Sequence, residues 1–357
     1  MKLDVLMVGS RPPPYHGQAI CFEIATEANR NKAVIETSFR SETVLGSILK
    51  SFEYLKKTIY YRYFESPETI YFLASRSLVG GFRDIFLILL FWNTECRIIN
   101  HLHGADFKQY LSSIPAILKP VLLKIYSRID LHILLSSKMK DQILDHFPKA
   151  NVTSVRNFAN APAIDSESLR KSNKSFVFLS SLALSKGILD TIESIDYLYS
   201  NDNKITLDIA GPFLGDEHKS ESEIKLKFFE KIENKPYIKF HGTLGYEEKF
   251  ALLRKCRHFI LPTFYKSEAC PLSIIEAMMC CCTIITTDHN YLGKIFCEDN
   301  GVIIPPCNPQ IAGIMIEDFL KHEDRIESIG IHNEKEARLN HTVSQYQSAI
   351  SRLCNPN

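Results

Sequence analysis

Residues 258–286 read HFILPTFYKSEACPLSIIEAMMCCCTIIT. His258–Leu261 is a short apolar run, typical of a buried strand, and it ends in a loop that starts at Pro262. We predict that Pro271 is the first residue of a helix, because proline is favoured at that position. A second apolar run follows at Thr283–Thr286. The segment therefore predicts a strand, a loop, a helix and a second strand, the building unit of a parallel sheet.

The same alternation of strands and helices extends along the whole chain. The strands predicted in the first half are Leu3–Val8, Val34–Phe39, Thr69–Leu73, Arg97–Leu102, Leu131–Leu135 and Val152–Val155. Those predicted in the second half are Ser175–Leu179, Ile205–Ile209, Tyr237–Phe240, His258–Leu261, Thr283–Thr286 and Val302–Ile304. Stretches with helical spacing separate them, including Ala19–Arg30, Ile48–Phe64, Ile114–Tyr126, Gly187–Tyr199 and Glu247–Lys255. This order predicts an α/β protein of two doubly wound, Rossmann-like domains that face each other across a cleft.

A polar segment at residues 160–174 marks the expected boundary between the domains. We expect an N-terminal domain over residues 1–165 and a C-terminal domain over 166–340. A C-terminal helix over 341–357 is expected to pack back on the first domain. In such sheets, ligands bind beyond the carboxyl ends of the strands.

The composition excludes several classes of protein. The chain has 357 residues, of which 45% are apolar and 23% charged, as in ordinary globular proteins rather than disordered or fibrous ones. A net charge of +1 argues against a nucleic-acid-coating protein. No apolar run reaches the roughly 18–20 residues of a bilayer span, and the longest, Ile85–Trp92, predicts a buried helix. The start of the chain lacks the pattern of a signal peptide, which favours a cytoplasmic protein.

Ten cysteines show no C-x-x-C pair and no regular spacing. We interpret them as reduced cytosolic thiols. The adjacent residues Cys280–Cys282 are expected to be small buried residues at a helix end, because neighbours on a chain point in different directions and chelate one metal poorly.

Two carboxylates and a helix start make the segment 262–285 the candidate site. The amides of Leu272 and Ser273 follow Pro271, and unpaired amides at a helix N-terminus bind anions such as phosphate. Glu268 precedes the helix, and Glu276 lies eight residues further along. A carboxylate beside a phosphate is suited to neutral hydroxyls, so this pattern predicts a nucleotide sugar as the ligand.

The segment resembles the signature of the family 4 retaining glycosyltransferases, E-G-x-P-x(4)-E-A-M-A-x-G-x-P. The matching residues are Glu268, Pro271, Glu276, Ala277 and Met278, whereas Ala269, Cys281 and Thr283 replace Gly, Gly and Pro. The resemblance implies a GT-B fold and transfer of a sugar, with retention of configuration, from a UDP- or GDP-linked donor. It also implies that Glu276 binds ribose hydroxyls and that Glu268 binds hydroxyls of the donor sugar.

Other segments resemble the same family. FLSSLALSKG at 178–187 resembles the opening of the donor-binding domain, with Lys186 at the diphosphate and Ser181 where an arginine is frequent. RPPPYHGQ at 11–18 resembles the glycine-rich loop of the first domain, where Gly17 is kept and His16 replaces a glycine. NHLHG at 100–104 places His103 where a family histidine points toward the donor sugar.

The resemblance therefore gives a set of expected site residues. The catalytic residues are Glu268, His103 and Lys186; those that bind the donor are Gly17, Lys186, Pro271, Leu272, Ser273 and Glu276. We expect no metal and no other cofactor, because no Asp-x-Asp triplet occurs to hold a cation on a diphosphate. The absence of G-x-G-x-x-G after any strand argues against a nicotinamide cofactor.

Charge is unevenly divided between the two halves. Residues 1–165 hold 20 Lys/Arg and 15 Asp/Glu, a net +5, which leaves −4 for the remainder. The segment Ile48–Phe64 combines an apolar helical face with Lys50, Lys56, Lys57 and Arg62. It is either an amphipathic helix packed on the sheet or a surface that touches anionic lipid headgroups.

The charge asymmetry and the resemblance together point to a glycan or lipid-linked glycan as acceptor. We expect a cytoplasmic enzyme, peripheral on the inner face of the cell membrane, in the synthesis of a bacterial surface polysaccharide such as lipopolysaccharide or capsule. Two alternatives remain at this point: a nucleotide-sugar epimerase of related fold, and a non-catalytic partner of another transferase.

Overall fold

The computed structural model describes residues 3–13, 15–37, 44–164 and 171–355. The chain divides into two compact units, one made of residues 1–157 and 343–357 and the other of residues 158–342. Each unit is a six-stranded parallel sheet with flanking helices.

The sheet of the first unit has the order β2-β1-β3-β4-β5-β6. Its strands are β1 Val5–Gly9, β2 Lys32–Glu36, β3 Thr69–Leu73, β4 Arg97–Leu102, β5 Leu131–Leu134 and β6 Val152–Ser154. Strands β1, β3 and β5 are buried along their whole length, because helices cover both faces of the sheet. The strand order reverses between β1 and β3, so loops following these strands diverge to opposite faces and leave a crevice there.

The helices of this unit are α1 Gly17–Glu27, α2 Val44–Tyr60, α3 Leu78–Leu90, α4 Phe107–Ser113, α5 Lys119–Tyr126 and α6 Asp141–Leu144. A π-helical turn, Tyr61–Glu65, continues α2. The predicted buried helix at Ile85–Trp92 is only partly confirmed. It belongs to α3, which begins earlier and buries Leu87 and Ile88 while leaving Leu89 exposed.

The sheet of the second unit has the order β12-β11-β10-β7-β8-β9. Its strands are β7 Ser175–Leu179, β8 Thr206–Ala210, β9 Ile238–Phe240, β10 His258–Leu261, β11 Thr283–Thr287 and β12 Gly301–Ile304. Its helices are α7 Ile188–Asn201, α8 Glu221–Ile232, α9 Tyr246–Lys255, α10 Leu272–Met279, α11 Leu292–Ile295, α12 Pro309–Leu320 and α13 Glu323–Asn340. The strand order reverses between β7 and β10.

The last helix, α14 Val343–Cys354, belongs to the first unit. It packs against α1. Its Tyr346 is buried and donates a hydrogen bond to the Cys21 carbonyl at 3.2 Å. This contact links the chain's end to the first Rossmann-like sheet.

All twelve predicted strands are present, and their ends differ from the prediction by at most a few residues. Residue 39, the predicted end of the second strand, lies outside the described residues. The predicted α/β fold with two doubly wound sheets is therefore confirmed. Parallel strands buried on both faces carry continuous apolar runs, which makes them easy to recognise in a sequence.

The three adjacent cysteines lie where the sequence predicted, at the end of α10. Cys280 is the residue at the C-terminal cap of the helix, and all three side chains are buried. Burial raises the pKa of each of these thiols, to about 12 for Cys280 and about 11 for Cys281. None of the ten cysteines, all of which lie in described segments, forms a disulfide.

Candidate active site

The loops after β7 and β10 carry two of the predicted site residues. These strands are neighbours at the point where the strand order of the second sheet reverses. Lys186 ends a 3-10 turn after β7, and Gly187 then adopts a left-handed conformation with φ 78°. A Cβ atom on Gly187 would lie 2.3 Å from the Pro262 carbonyl oxygen. The two loops are therefore in close contact, which brings Lys186 to the loop that holds Glu268.

Lys186 and Glu268 form an ion pair at this point. The Lys186 ammonium donates to Glu268 Oε2 at 2.5 Å and lies 4.5 Å above the centre of the Tyr265 ring. Thr263 donates its hydroxyl to the same carboxylate oxygen at 3.2 Å. Glu268 is only 7% exposed, so its carboxylate is positioned by these partners rather than by water.

The helix α10 begins one residue later than predicted. Pro271 precedes the helix with φ −61° and ψ 131°, and Leu272 is the first helical residue. The prediction of Pro271 as the first helical residue is thus wrong: its φ suits a helix, but its extended ψ makes it the N-cap, whose carbonyl accepts from the Ile274 amide at 3.2 Å. Within the described chain, the amides of Leu272 and Ser273 have no acceptor. They are the unpaired donors that an anion-binding helix end requires.

Glu276 lies on the second turn of α10, beneath that helix end. Its carboxylate accepts from the Lys249 ammonium on α9 at 2.6 Å. Burial raises the pKa of Glu276, while the charge of Lys249 and its hydrogen bond act in the opposite direction. Sequence reasoning did not find Lys249, because the contact depends on how α9 packs against α10 and leaves no local motif.

Gly17 is the first residue of α1, at the end of the loop that follows β1. The residue before it, His16, is the N-cap of this helix, and its Nδ1 accepts from the Ala19 amide at 3.2 Å. The histidine that replaces the family's glycine therefore has a local role as a helix cap. Gly17 follows β1, one of the two strands between which the order of the first sheet reverses.

His103 directly follows β4, also at the carboxyl edge of the first sheet. Its ring lies 4.1 Å from the ring of His101, whose Nδ1 is 2.6 Å from the Tyr71 hydroxyl. Among described residues, the buried Nε2 atom of His103 has no hydrogen-bond partner. Burial lowers the pKa of His103 to about 3, and the charges of Arg76 and His16 add to this effect. The imidazole is therefore neutral at physiological pH.

The predicted site residues fall on two units. Lys186, Glu268, the amides of Leu272 and Ser273 and Glu276 belong to the second, at one edge of its sheet. Gly17 and His103 belong to the first. In the parts of the chain that the structure covers, no three His, Cys, Asp or Glu side chains are grouped to hold a metal ion.

Residues 161–336 match the family model described as Glycosyl transferases group 1. This region is similar to the group 1 glycosyl transferases. It contains the Lys186–Glu268 pair and the whole of α10. No curated protein is significantly similar in sequence to this chain.

Solved structures with the same fold cover between 80% and 98% of the chain. Anabaena HepE in complex with UDP is 14% identical, with a TM-score of 0.72 over 98% of this chain and 99% of that one. Sucrose-phosphate synthase from Thermosynechococcus elongatus is 14% identical, with a TM-score of 0.71 over 98% of each chain. The pneumococcal O-GlcNAc transferase GtfA, in complex with UDP and GlcNAc, is 13% identical, with a TM-score of 0.60 over 80% of this chain and 56% of that one. These likenesses confirm the predicted GT-B fold.

No helix in the described ranges combines the length and the apolar character that a bilayer span needs.

Proposed function

We propose that this protein is a retaining glycosyltransferase, similar to family 4, that moves a sugar from a nucleotide diphosphate sugar to a hydroxyl of a glycan or lipid-linked glycan. The observation that carries the proposal is the cluster at the switch point of the second sheet. There a lysine pairs with the buried carboxylate of Glu268, and α10, which follows the same loop, carries the unpaired amides of its first turn and the partly buried Glu276. The group 1 glycosyl transferase match over the same region supports it.

Lys186 and the α10 amides act on the leaving group. As the bond between the anomeric carbon and the diphosphate oxygen breaks, its electron pair passes to that oxygen. The acceptor hydroxyl bonds to the anomeric carbon on the same face and gives its proton to the departing phosphate. Positive charge and preorganised amide donors stabilise the growing negative charge in this step. A bound diphosphate competes with Glu268 for the Lys186 ammonium.

The carboxylates and the histidine bind neutral groups. Glu276, on the second turn of α10, accepts hydrogen bonds from hydroxyls of the ribose, and Glu268, which precedes the helix, accepts them from hydroxyls of the donor sugar. His103 is neutral, so it hydrogen-bonds to a sugar hydroxyl without adding a charge that would oppose the cationic character of the breaking glycosidic bond. Gly17 allows the backbone of the first unit to come close to the donor.

The finer identity of the ligands is also part of the proposal. Among structurally similar proteins, HepE and GtfA were solved with UDP, which favours a UDP-linked donor over a GDP-linked one. A lipid-linked acceptor fits the net +5 charge of residues 1–165, because it would be presented at an anionic membrane surface. We therefore propose that the enzyme acts on the cytoplasmic face of the membrane, in the synthesis of a surface polysaccharide such as lipopolysaccharide or capsule.

Substitution of the two glutamates tests these roles. Glu276→Ala should weaken binding of both the nucleotide sugar and the free nucleoside diphosphate by about ten- to a hundredfold, the worth of a hydrogen bond to a charged group. Glu268→Ala should leave the free nucleoside diphosphate bound equally well or slightly tighter, because that ligand lacks the sugar and Lys186 is released. It should strongly reduce turnover, since sugar contacts that tighten in the transition state act on the rate.

Titration calorimetry with UDP and GDP, together with turnover of the corresponding nucleotide sugars, measures both effects. A matched control is Glu247→Ala, which changes an exposed carboxylate on the first turn of α9 and should alter neither quantity. Equal losses of UDP binding in the Glu268 and Glu276 variants would contradict the assigned roles. Failure of the wild-type protein to bind any nucleoside diphosphate would contradict the function itself.

The chemical step should proceed without a divalent metal, because Lys186 and the α10 amides supply the positive charge at the leaving group. We expect turnover to persist in EDTA, with at most a mild response of product release to magnesium. A complete loss in EDTA that manganese restores would count against this mechanism. The control is nucleotide-sugar binding in EDTA, which should equal that in magnesium.

A further inference from the structure

Exposed apolar side chains are concentrated on three helices of the first unit. Among the described residues, 24 large hydrophobic side chains are exposed, and 13 of these lie on or beside α2, α3 and α5. They are Leu49, Phe52, Ile59, Tyr60, Tyr63, Phe64, Leu78, Val79, Phe82, Leu89, Ile117, Leu118 and Val121. A clustered apolar surface of this kind marks a site of interaction, whereas scattered single residues do not.

Helix α2 carries its apolar stripe on the outside. Among the side chains of α2 that the structure describes, Tyr54 and Thr58, one turn apart, are buried, whereas Leu49, Phe52 and Ile59 are 60%, 65% and 43% exposed. For Leu49, Phe52 and Ile59, the interpretation of α2 as a helix that packs its apolar face on the sheet is therefore wrong; Leu55 is half-buried, and the side chain of Ile48 lies outside the described residues. The stripe continues through the π-helical turn to Tyr63 and Phe64, which are 66% and 75% exposed.

Helices α3 and α5 extend this surface. The Tyr54 hydroxyl on α2 donates to the Arg83 carbonyl on α3 at 3.4 Å, and Arg62 donates to the Leu90 carbonyl at 3.0 Å. Helix α3 packs in turn against α5. On α3, Leu78 and Phe82 are one turn apart and 59% and 69% exposed. The three helices are thus adjacent: α2 and α3 each leave an apolar stripe unburied, and α5 exposes Val121 next to Ile117 and Leu118, which precede it.

Basic and aromatic residues accompany the apolar stripe of α2. Lys50, Lys56 and Lys57 are exposed on the helix, and Lys57 forms an ion pair with Glu53 at 2.7 Å. Tyr60 presents an apolar ring with a polar tip, the kind of side chain that is enriched at the boundary between lipid and water. A second copy of the chain would bring the same lysines against these, so like charges disfavour self-association through this surface.

We infer that the exposed face of α2, the π-helical turn, α3 and α5, here called the three-helix face, inserts into the headgroup–acyl boundary of an anionic lipid bilayer. The apolar stripes bury among the acyl chains, while the lysines meet the headgroup phosphates. Membrane binding by this surface does not depend on sugar transfer. If the proposed function holds, it is where the enzyme meets a lipid-linked acceptor. Anionic attraction alone would need no such apolar area.

Sedimentation with sucrose-loaded vesicles tests the inference. The full chain is mixed with vesicles of phosphatidylcholine alone or with 30 mol% phosphatidylglycerol. Each mixture is measured at about 0.1 and about 0.5 M salt, because the higher concentration screens charges much more strongly. The apolar variant is Phe52→Ser with Phe82→Ser and Val121→Ser, one exposed residue from each helix. Its partition should fall at least about a hundredfold on both vesicle types, because burial of each large side chain contributes tenfold or more.

Two further variants separate the contributions. Lys56→Gln with Lys57→Gln should lower partition about fivefold for each lysine, and only on anionic vesicles. The matched control is Leu226→Ser with Phe229→Ser and Leu339→Ser, three exposed residues of the second unit, and it should bind like the wild type. Melting temperatures within a few degrees of the wild type, together with unchanged UDP binding, show that each variant is folded.

Three outcomes would overturn the inference. The first is unchanged partition of the apolar variant. The second is wild-type binding that disappears completely at the higher salt, which would mean adsorption by charge alone. The third is a wild-type dimer that the apolar variant converts to a monomer without any change in vesicle binding, which would assign the face to self-association. Absence of UDP binding with intact vesicle binding would contradict the proposed function and leave this inference standing.

Discussion

At the scale of single residues, the backbone at Cys281 shows why the family signature has a glycine at this position. Its φ is 57°, in the left-handed region that glycine adopts readily and other residues adopt at a cost. The family signature has glycine at this position. The chain must turn sharply there to pass from the end of α10 into β11, and in this protein a buried cysteine makes that turn under strain.

Replacement of each of two neighbouring cysteines by glycine should therefore have different effects. In Cys281→Gly, relief of left-handed strain, about 1–2 kcal/mol, offsets the loss of a buried thiol and the greater entropy of the unfolded chain. The free energy of unfolding should change by less than about 1 kcal/mol. In Cys282→Gly no strain is relieved, and a thiol 3.3 Å from the carbonyls of Leu253 and Cys256 is lost.

We expect Cys282→Gly to lose about 2 kcal/mol or more, in the range of buried side-chain deletions. Urea unfolding followed by circular dichroism measures both variants. Equal destabilisation of the two would mean that the turn at Cys281 stores no strain.

The sequence revealed the site residues unevenly. Glu268, Glu276 and Lys186 were predicted because each lies in a local pattern with a fixed spacing. Lys249 and Thr263 were not, although each hydrogen-bonds to one of the two glutamates. Their roles come from the packing of α9 on α10 and from the path of the loop after β10, and neither is encoded in a short motif.

At the scale of elements, strands were predicted more reliably than helix faces. A strand of a covered parallel sheet is apolar throughout, so its position follows from composition alone. A helix with one apolar stripe gives no such certainty. The pattern predicts that the stripe contacts another apolar surface, but it does not indicate which surface that is. For α2 the buried side is the one with Tyr54 and Thr58. The sequence had left open the choice between sheet and lipid.

The junction of β7 and α7 is the element on which the Lys186–Glu268 pair depends. Gly187 combines a φ of 78° with a hypothetical Cβ only 2.3 Å from a backbone oxygen, that of Pro262. Gly187→Ala should therefore destabilise the second unit by more than about 2 kcal/mol, because backbone strain adds to a clash that no flexible side chain can relieve. It should also weaken binding of the nucleoside diphosphate by displacing Lys186.

Gly242 provides the matched control. Its φ is 68°, but nothing lies within 4 Å of the position its Cβ would take. Gly242→Ala should cost only the left-handed strain, about 1 kcal/mol, and leave ligand binding unchanged. Urea unfolding and calorimetry with UDP compare the two variants. If both glycine variants lost the same stability, close contact between the β7 and β10 loops would not be what fixes Lys186.

At the scale of the whole molecule, buried titratable groups are divided unequally between the units. In the first unit, burial lowers the pKa of four histidines: His101 well below its ordinary value, His103 to about 3, His132 to about 4, and the less deeply buried His146. Among the carboxyl groups that the structure describes in this unit, Asp84 alone opposes them, because burial raises its pKa.

The second unit has the reverse balance. Burial lowers the pKa of His258 to about 3, but it raises the pKa of Asp190 to about 6 and also raises that of Glu276. A histidine with a lowered pKa takes up its proton only on unfolding, so it destabilises the fold as the pH drops below 6.5. A carboxyl with a raised pKa takes up its proton in the folded state and stabilises it over the same range.

The first unit should therefore lose stability on acidification before the second. Between pH 6.5 and 5, each histidine that must charge on unfolding removes about 1.4 kcal/mol per pH unit. Trp92, the single tryptophan, lies in the first unit and reports on it alone by fluorescence, whereas circular dichroism reports on both. The urea midpoint from fluorescence should fall more steeply with pH than the midpoint from circular dichroism.

His132→Phe should make the fluorescence slope shallower by about one proton, because the buried ring that stacks on Phe147 keeps its packing but no longer titrates. The exposed His322→Phe should leave it unchanged. Parallel midpoints from the two signals, or a His132 variant with the wild-type slope, would show that these histidines do not govern the acid response.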